Sequence, residues 1–67
     1  MDELELAVKY PLGTKITFMN TDRTGHASGV VNGAPIATDD KQAYVPVYVD
    51  RTSAIIYVNE HNIVEVV

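Results

Sequence analysis

Between Ala43 and Val58 the chain is apolar at both sets of alternate positions, and no other feature constrains its fold as much. Tyr44-Val45-Pro46-Val47-Tyr48-Val49 places its valines on one side of an extended backbone and Tyr44, Pro46 and Tyr48 on the other. Asp50-Arg51-Thr52-Ser53 reads as the turn of a hairpin, and Ala54-Ile55-Ile56-Tyr57-Val58 is again apolar on both faces. Successive side chains of a strand point to opposite faces, so one face of this hairpin can fill a core while the other needs a different cover. A chain of 67 residues has one core to fill. Val45, Val47, Val49, Ile56 and Val58 form the set assigned to that core. Tyr44, Pro46, Tyr48, Ile55 and Tyr57 form the second set, the candidate interface. Tyrosine suits such a surface because its ring buries area while its hydroxyl keeps a polar partner. Pro46 cannot donate to a ladder and marks an edge or a bulge.

The flanking segments add further short elements. Leu4, Leu6, Val8 and Tyr10 alternate with Glu3, Glu5, Ala7 and Lys9, a period of two that predicts an amino-terminal strand over Leu4–Tyr10. Pro11-Leu12-Gly13-Thr14 reads as a turn into a strand over Lys15–Asn20, with Ile16 and Phe18 on one face. Asn20–Gly29 is polar and reads as the longest loop. Val30-Val31 starts an apolar run interrupted by Asn32-Gly33. That dipeptide is either a hairpin turn or a kink in one long bent strand reaching Thr38, and the kink is favoured. Asp39-Asp40-Lys41-Gln42 is a polar turn, and Asn59-Glu60-His61-Asn62 is a single 3₁₀-type turn before a final strand over Ile63–Val67. No stretch carries a helical period of useful length.

Composition narrows the function classes. Without cysteine there is neither a disulfide nor a thiolate zinc site, and without tryptophan, and with one phenylalanine, the core must come from Val, Ile, Leu, Ala and Tyr. Five Lys and Arg against nine Asp and Glu give a net charge of -4, which disfavours nucleic acid because phosphate neutralisation supplies most non-specific affinity. No apolar run approaches the ~20 residues of a membrane span, and Met1-Asp2-Glu3 is the reverse of a basic signal-peptide start. The expectation is a cytoplasmic protein without membrane contact. Its one domain spans residues 1–67, with the amino-terminal strand and turn over 1–12 and a barrel core over 13–67.

Residues able to carry chemistry are few. His26 and His61 lie far apart in a loop and a turn and read as surface residues rather than a metal or catalytic pair. Asp22, Asp39 and Asp40 sit where aspartate stabilises turns through its own side chain. Thr24 and Ser28 beside His26 lack the third member that an activated nucleophile needs. No catalytic residue, metal ligand or cofactor is expected.

Short strands separated by closely spaced turns describe a small antiparallel barrel. The order Gly13-x-x-Ile16-x-Phe18, a polar loop, Gly29-Val30-Val31, a turn, Val45-x-Val47-x-Val49, a hairpin, Tyr57, a short turn and Ile63-Val64-Glu65-Val66 resembles the SH3-like small barrel over residues 13 to 67. That resemblance makes Asp22, Arg23, Thr24 and His26 a candidate recognition loop, because such barrels commonly bind ligands there. Tyr44–Val66 is similar in rhythm to the SH3-like accessory subunit of photosystem I, which implies docking of partner proteins without catalysis. Ala54-Ile55-Ile56-Tyr57 followed by Ile63-x-Glu65 resembles plasmid-encoded type II dihydrofolate reductase, a tetramer with one shared pore. Ile56 and Tyr57 match that family's substrate-contact triplet, but Ile55 stands where it has glutamine and Phe18 falls near its lysine. The resemblance therefore implies an oligomer rather than a reductase.

The expectation is an all-β, SH3-like antiparallel barrel of five to six short strands. Its expected role is a non-enzymatic accessory module, of a kind that suits a phage or mobile element. It would self-associate or dock on a partner protein through Tyr44, Pro46, Tyr48, Ile55 and Tyr57. The alternative is an oligomer binding a small molecule, or acting as an enzyme, in a pore between subunits, and the third reading is association with nucleic acid.

Overall fold

The hairpin between Ala43 and Asn59 is the centre of the sheet. The computed structural model describes residues 3–20 and 25–66. In chain order these form helix α1 (Glu3–Lys9), strands β1 (Lys15–Met19), β2 (His26–Val31), β3 (Ile36–Ala37), β4 (Ala43–Val49) and β5 (Ala54–Asn59), a 3₁₀ turn (Glu60–Asn62) and β6 (Ile63–Val66). Every pairing is antiparallel. The strands run β6-β1-β2-β4-β5, with β3 on the β4 edge that β2 also uses. This is the small, mostly antiparallel β fold expected, with six short strands and a 3₁₀ turn before the last of them. The hydrogen-bonded sheet does not close into the expected barrel, however: among the described residues β5, β6 and the two-residue β3 each pair with a single neighbour.

The segment from Val30 to Ala37 follows β4 in one direction, as β2 and β3 joined by a bend, as the kink reading expects. Val30 lies opposite Tyr48 and Val31 opposite Val47, while Ile36 lies opposite Tyr44 and Ala37 opposite Ala43. Both parts run the same way along β4, so Asn32-Gly33 kinks a strand rather than reversing it. Six steps from Val30 to Ile36 face four from Tyr48 to Tyr44, so two residues are extra at the bend. Pro46 stands opposite. Its carbonyl accepts the Asn32 N–H at 2.9 Å, and having no N–H of its own it leaves no donor unpaired where the ladder parts.

Residues Glu3–Lys9 form a helix, not the expected strand. The even spacing that reads as a strand also contains i, i+4 pairs: Leu6 and Tyr10 share a helical face and are buried, whereas Leu4 and Val8 share the opposite face and are exposed. Glu, Leu, Ala and Lys are strong helix formers, Glu3 and Glu5 sit in the first turn, and Lys9 in the last, as the helix dipole favours. Pro11 and the turn closed by Thr14 N–H on the Pro11 carbonyl (3.0 Å) end the helix, with Gly13 at φ +88°. The second correction concerns β2, which starts at His26 inside the expected loop. Ala27 and Gly29 point inward there, and small inward residues carry no apolar signal.

The core comprises Leu6 and Tyr10 from α1, Ile16 and Phe18 from β1, Val31 from β2, Ala43, Val45, Val47 and Val49 from β4, and Val58 from β5. Ile56, assigned to this set by alternation, is instead 38% exposed, because no strand covers the outer side of β5.

Candidate functional site

The register of the β4–β5 hairpin decides which side chains stand together on its outer face. Tyr48 lies opposite Ile55, Pro46 opposite Tyr57, and Tyr44 opposite Asn59. Val30 of β2 lies opposite Tyr48 on the other side, which extends one cross-strand row from Lys15 through Val30 and Tyr48 to Ile55. Ile55 is 56% exposed, Tyr57 60% and Val30 40%, with Tyr44 and Tyr48 half-buried beside them. Sequence reasoning missed Val30, although its alternation with the inward Val31 marks it.

Pro46 departs from the expected interface set. It is buried, because the bend of β2–β3 passes over it; a side chain placed on Gly33 would touch its Cγ at 3.4 Å. It shapes the face from beneath rather than offering contact. Gly29 is the second shaping residue. A Cβ there would meet the Tyr48 carbonyl oxygen and Val47 Cγ1 at 2.5 Å, so the absence of a side chain lets β2 cross β4 closely and brings Val30 against Tyr48.

The open flank of β5 exposes part of the interior. A cleft of about 240 Å³ is lined by Phe18, Ile56, Val58, Tyr44 and Tyr57 with Asn20, Asn59 and Asn62. A second, of about 420 Å³, continues past Phe18, Ile56 and Ala27 to Arg51 and Thr52 at the hairpin turn. The Asn59 amide is committed structurally: its oxygen accepts His61 N–H at 2.9 Å, capping the 3₁₀ turn, and its nitrogen donates to Gln42 Oε1 at 2.9 Å. The walls of the seam are largely apolar, and Asn59 among its polar residues holds the turn that follows.

Of the candidate recognition loop, Asp22, Arg23 and Thr24 lie outside the described residues. His26 is exposed at the start of β2, opposite Met19, and His61 is exposed in the 3₁₀ turn. Among the described residues no three His, Asp or Glu side chains converge to hold a metal ion, and no helix is long and apolar enough to cross a membrane.

An electrostatic cluster lies at the other end of β5. Glu60 Oε2 accepts from Tyr10 OH at 2.9 Å and from Lys9 Nζ at 3.1 Å, which ties α1 to the 3₁₀ turn. Burial pushes Glu60 up, but the hydrogen bonds from Lys9 and Tyr10 and the Lys9 charge outweigh it, and the carboxyl sits below its usual range. Burial, then the bond to Glu60, pushes the Tyr10 phenol up.

Comparison with protein-family models, with curated proteins and with solved structures found no match to this chain.

Proposed function

We propose that the chain is a non-enzymatic binding module that associates with itself or with a partner protein through the outer face of β4 and β5. One observation carries this reading. Val30, Ile55 and Tyr57, with Tyr48 between them, form a contiguous exposed apolar group on a sheet whose opposite face already fills the core. An apolar group gathered across three neighbouring strands differs from singly scattered surface residues and marks an interaction surface. Rigid aromatic side chains also suit the anchoring centre of an interface. No Asp or Glu lies on the cross-strand row from Lys15 through Val30 and Tyr48 to Ile55, although the chain carries a net charge of -4.

The test is Tyr48→Asp, which places a carboxylate at the centre of the face on a half-exposed position that can tolerate it. Sedimentation at micromolar to millimolar concentration reads self-association, and capture of binding proteins on immobilised chain reads docking. The substitution is expected to abolish whichever of the two the wild-type chain shows while leaving the fold intact by circular dichroism. A wild-type monomer at every concentration, together with partner capture that Tyr48→Asp leaves unchanged, refutes the reading.

A further inference from the structure

The free edge of β5 specifies its own partner. We infer that two copies of the chain pair edge to edge through β5, antiparallel about a two-fold axis at Ile56; this rests on the self-association reading above and names the second copy as partner.

The Pro46 carbonyl accepts from Asn32, so the backbone polar groups of Pro46, and by alternation those of Tyr44 and Tyr48, face β2 and β3. Those of Val45, Val47 and Val49 then face β5, where they meet Val58, Ile56 and Ala54. The N–H and C=O groups of Ile55 and Tyr57 consequently point outward, and no strand lies beyond them among the described residues. Native sheets protect such an edge with charge, proline, a bulge or a short strand. The other edge has these devices: β6 is four residues long, carries Glu65, and pairs with β1 through a register shift. By contrast β5 runs six residues in unbroken register with β4 and contains no charged residue and no proline.

Charge and register both favour a second copy. Self-pairing of β6 would bring two Glu65 carboxylates together in an already acidic protein, whereas self-pairing of β5 opposes no like charges along the strand. With the two-fold axis at Ile56, Ile55 faces Tyr57 of the second copy and Tyr57 faces its Ile55. Both are pairs in which the outward N–H and C=O groups are exchanged. On the outer face this sets an aromatic ring beside a β-branched side chain, a favourable cross-strand pair, and joins the two apolar faces into one. On the inner face Ile56, left 38% exposed by the open flank, meets its own copy. Two short strands form an interface at the low end of the size range, so the dimer is expected to dissociate on dilution.

Because the chain has no cysteine, Ile56→Cys introduces a single thiol. Across a non-hydrogen-bonded antiparallel pair the Cα atoms lie about 4.5 Å apart, within the range of about 4.4 to 6.8 Å that a disulfide spans. In a glutathione redox buffer Ile56→Cys is expected to form covalent dimer about tenfold or more faster than Val64→Cys on β6, because pairing raises the effective thiol concentration. Ile56→Lys and Ile56→Glu, at a position open to water, are each expected to sediment as monomers, and an equal mixture of the two to recover the dimer. Equal cross-linking of the two cysteine variants overturns the proposal, as does unimpaired association of both charged variants. If those variants associate normally while Tyr48→Asp does not associate, edge pairing fails and the outer-face reading stands. If the wild type stays monomeric throughout and partner capture ignores Tyr48→Asp, both fail.

Discussion

Gly29→Ala is expected to be the most damaging single-methyl change in the sheet. The added Cβ would sit 2.5 Å from the Tyr48 carbonyl oxygen and 2.5 Å from Val47 Cγ1, with the Tyr48 carbonyl carbon at 3.2 Å. Comfortable contact lies near ~3.5 Å, so about 1 Å must be found between β2 and β4. Val47 can give way only within a filled core, and the Tyr48 carbonyl belongs to a strand paired on both sides. Overpacking of this kind costs about 1–3 kcal/mol, and backbone on one side of the contact places this case in the upper half. Alanine returns about 0.4–1 kcal/mol by restricting the unfolded chain, leaving a net loss of about 2 kcal/mol. For a domain of this size that lowers Tm by about 8–16 °C. Gly33→Ala, whose Cβ would only touch Pro46 Cγ at 3.4 Å, is the matched control and should stay within ~0.5 kcal/mol of wild type. Urea titration followed by circular dichroism and tyrosine fluorescence measures both. Gly29→Ala as stable as wild type, or Gly33→Ala losing as much, would refute a close approach of β2 to β4 at Gly29.

Two further predictions follow the same geometry. Leu6→Ala should cost about 2–4 kcal/mol, because Leu6 is fully buried, while Leu4→Ala and Val8→Ala on the exposed helix face should change stability by less than ~0.5 kcal/mol; equal losses at all three positions in chemical denaturation would contradict the helix. Stability should fall on both pH flanks. The lowered Glu60 carboxyl contributes above its unfolded pKa of about 4.3, and this is lost as pH falls through the folded value; the raised Tyr10 phenol contributes below about 10, and this is lost as pH rises through its folded value. Glu60→Gln should flatten much of the acid limb of a Tm-versus-pH curve. Among the described residues Asp40, lowered chiefly by its hydrogen bond from Thr38, also contributes to that limb, and an acid limb unchanged by Glu60→Gln would contradict the role of Glu60.

Strands whose inward residues are large were legible from residue pattern alone. β4 carries valines at alternate positions and spans Ala43–Val49 as expected, and the polar turns on either side of β5 fall where Asp, Ser and Asn cluster. Two elements were not legible, for different reasons. In Leu4–Tyr10 every apolar residue lies at an even spacing, which satisfies a strand and two opposed helical faces alike; propensity and the charge placement of Glu3, Glu5 and Lys9 decide the matter, and periodicity does not. In β2 the inward residues had to be small because β4 approaches at Gly29, so the strand reads as polar loop until Val30. The outer tyrosines were visible as an excess of apolar positions. That Pro46 would be covered and Ile56 uncovered was not, since the first depends on a bend made by another strand and the second on where the sheet fails to close.

The helix also bears on the edge of β5 without lying beside it in the sheet. Glu60 is the carboxylate that follows β5 directly, and in an isolated hairpin its charge would stand at the end of the strand that the second copy must approach. Lys9 and Tyr10 bind it instead, so the charge at that end is matched and the carboxylate is held toward α1. At the opposite end the turn carries Asp50 and Arg51, of opposite sign and adjacent in the chain. Acidic residues elsewhere set the net charge of -4, while the segment from Ala54 to Asn59 stays bare of charge along its length and compensated at both ends. Removing the Glu60 latch therefore affects two quantities by separate routes: the anchoring of α1 over the core, and the electrostatic neutrality that leaves the β5 edge open to pairing.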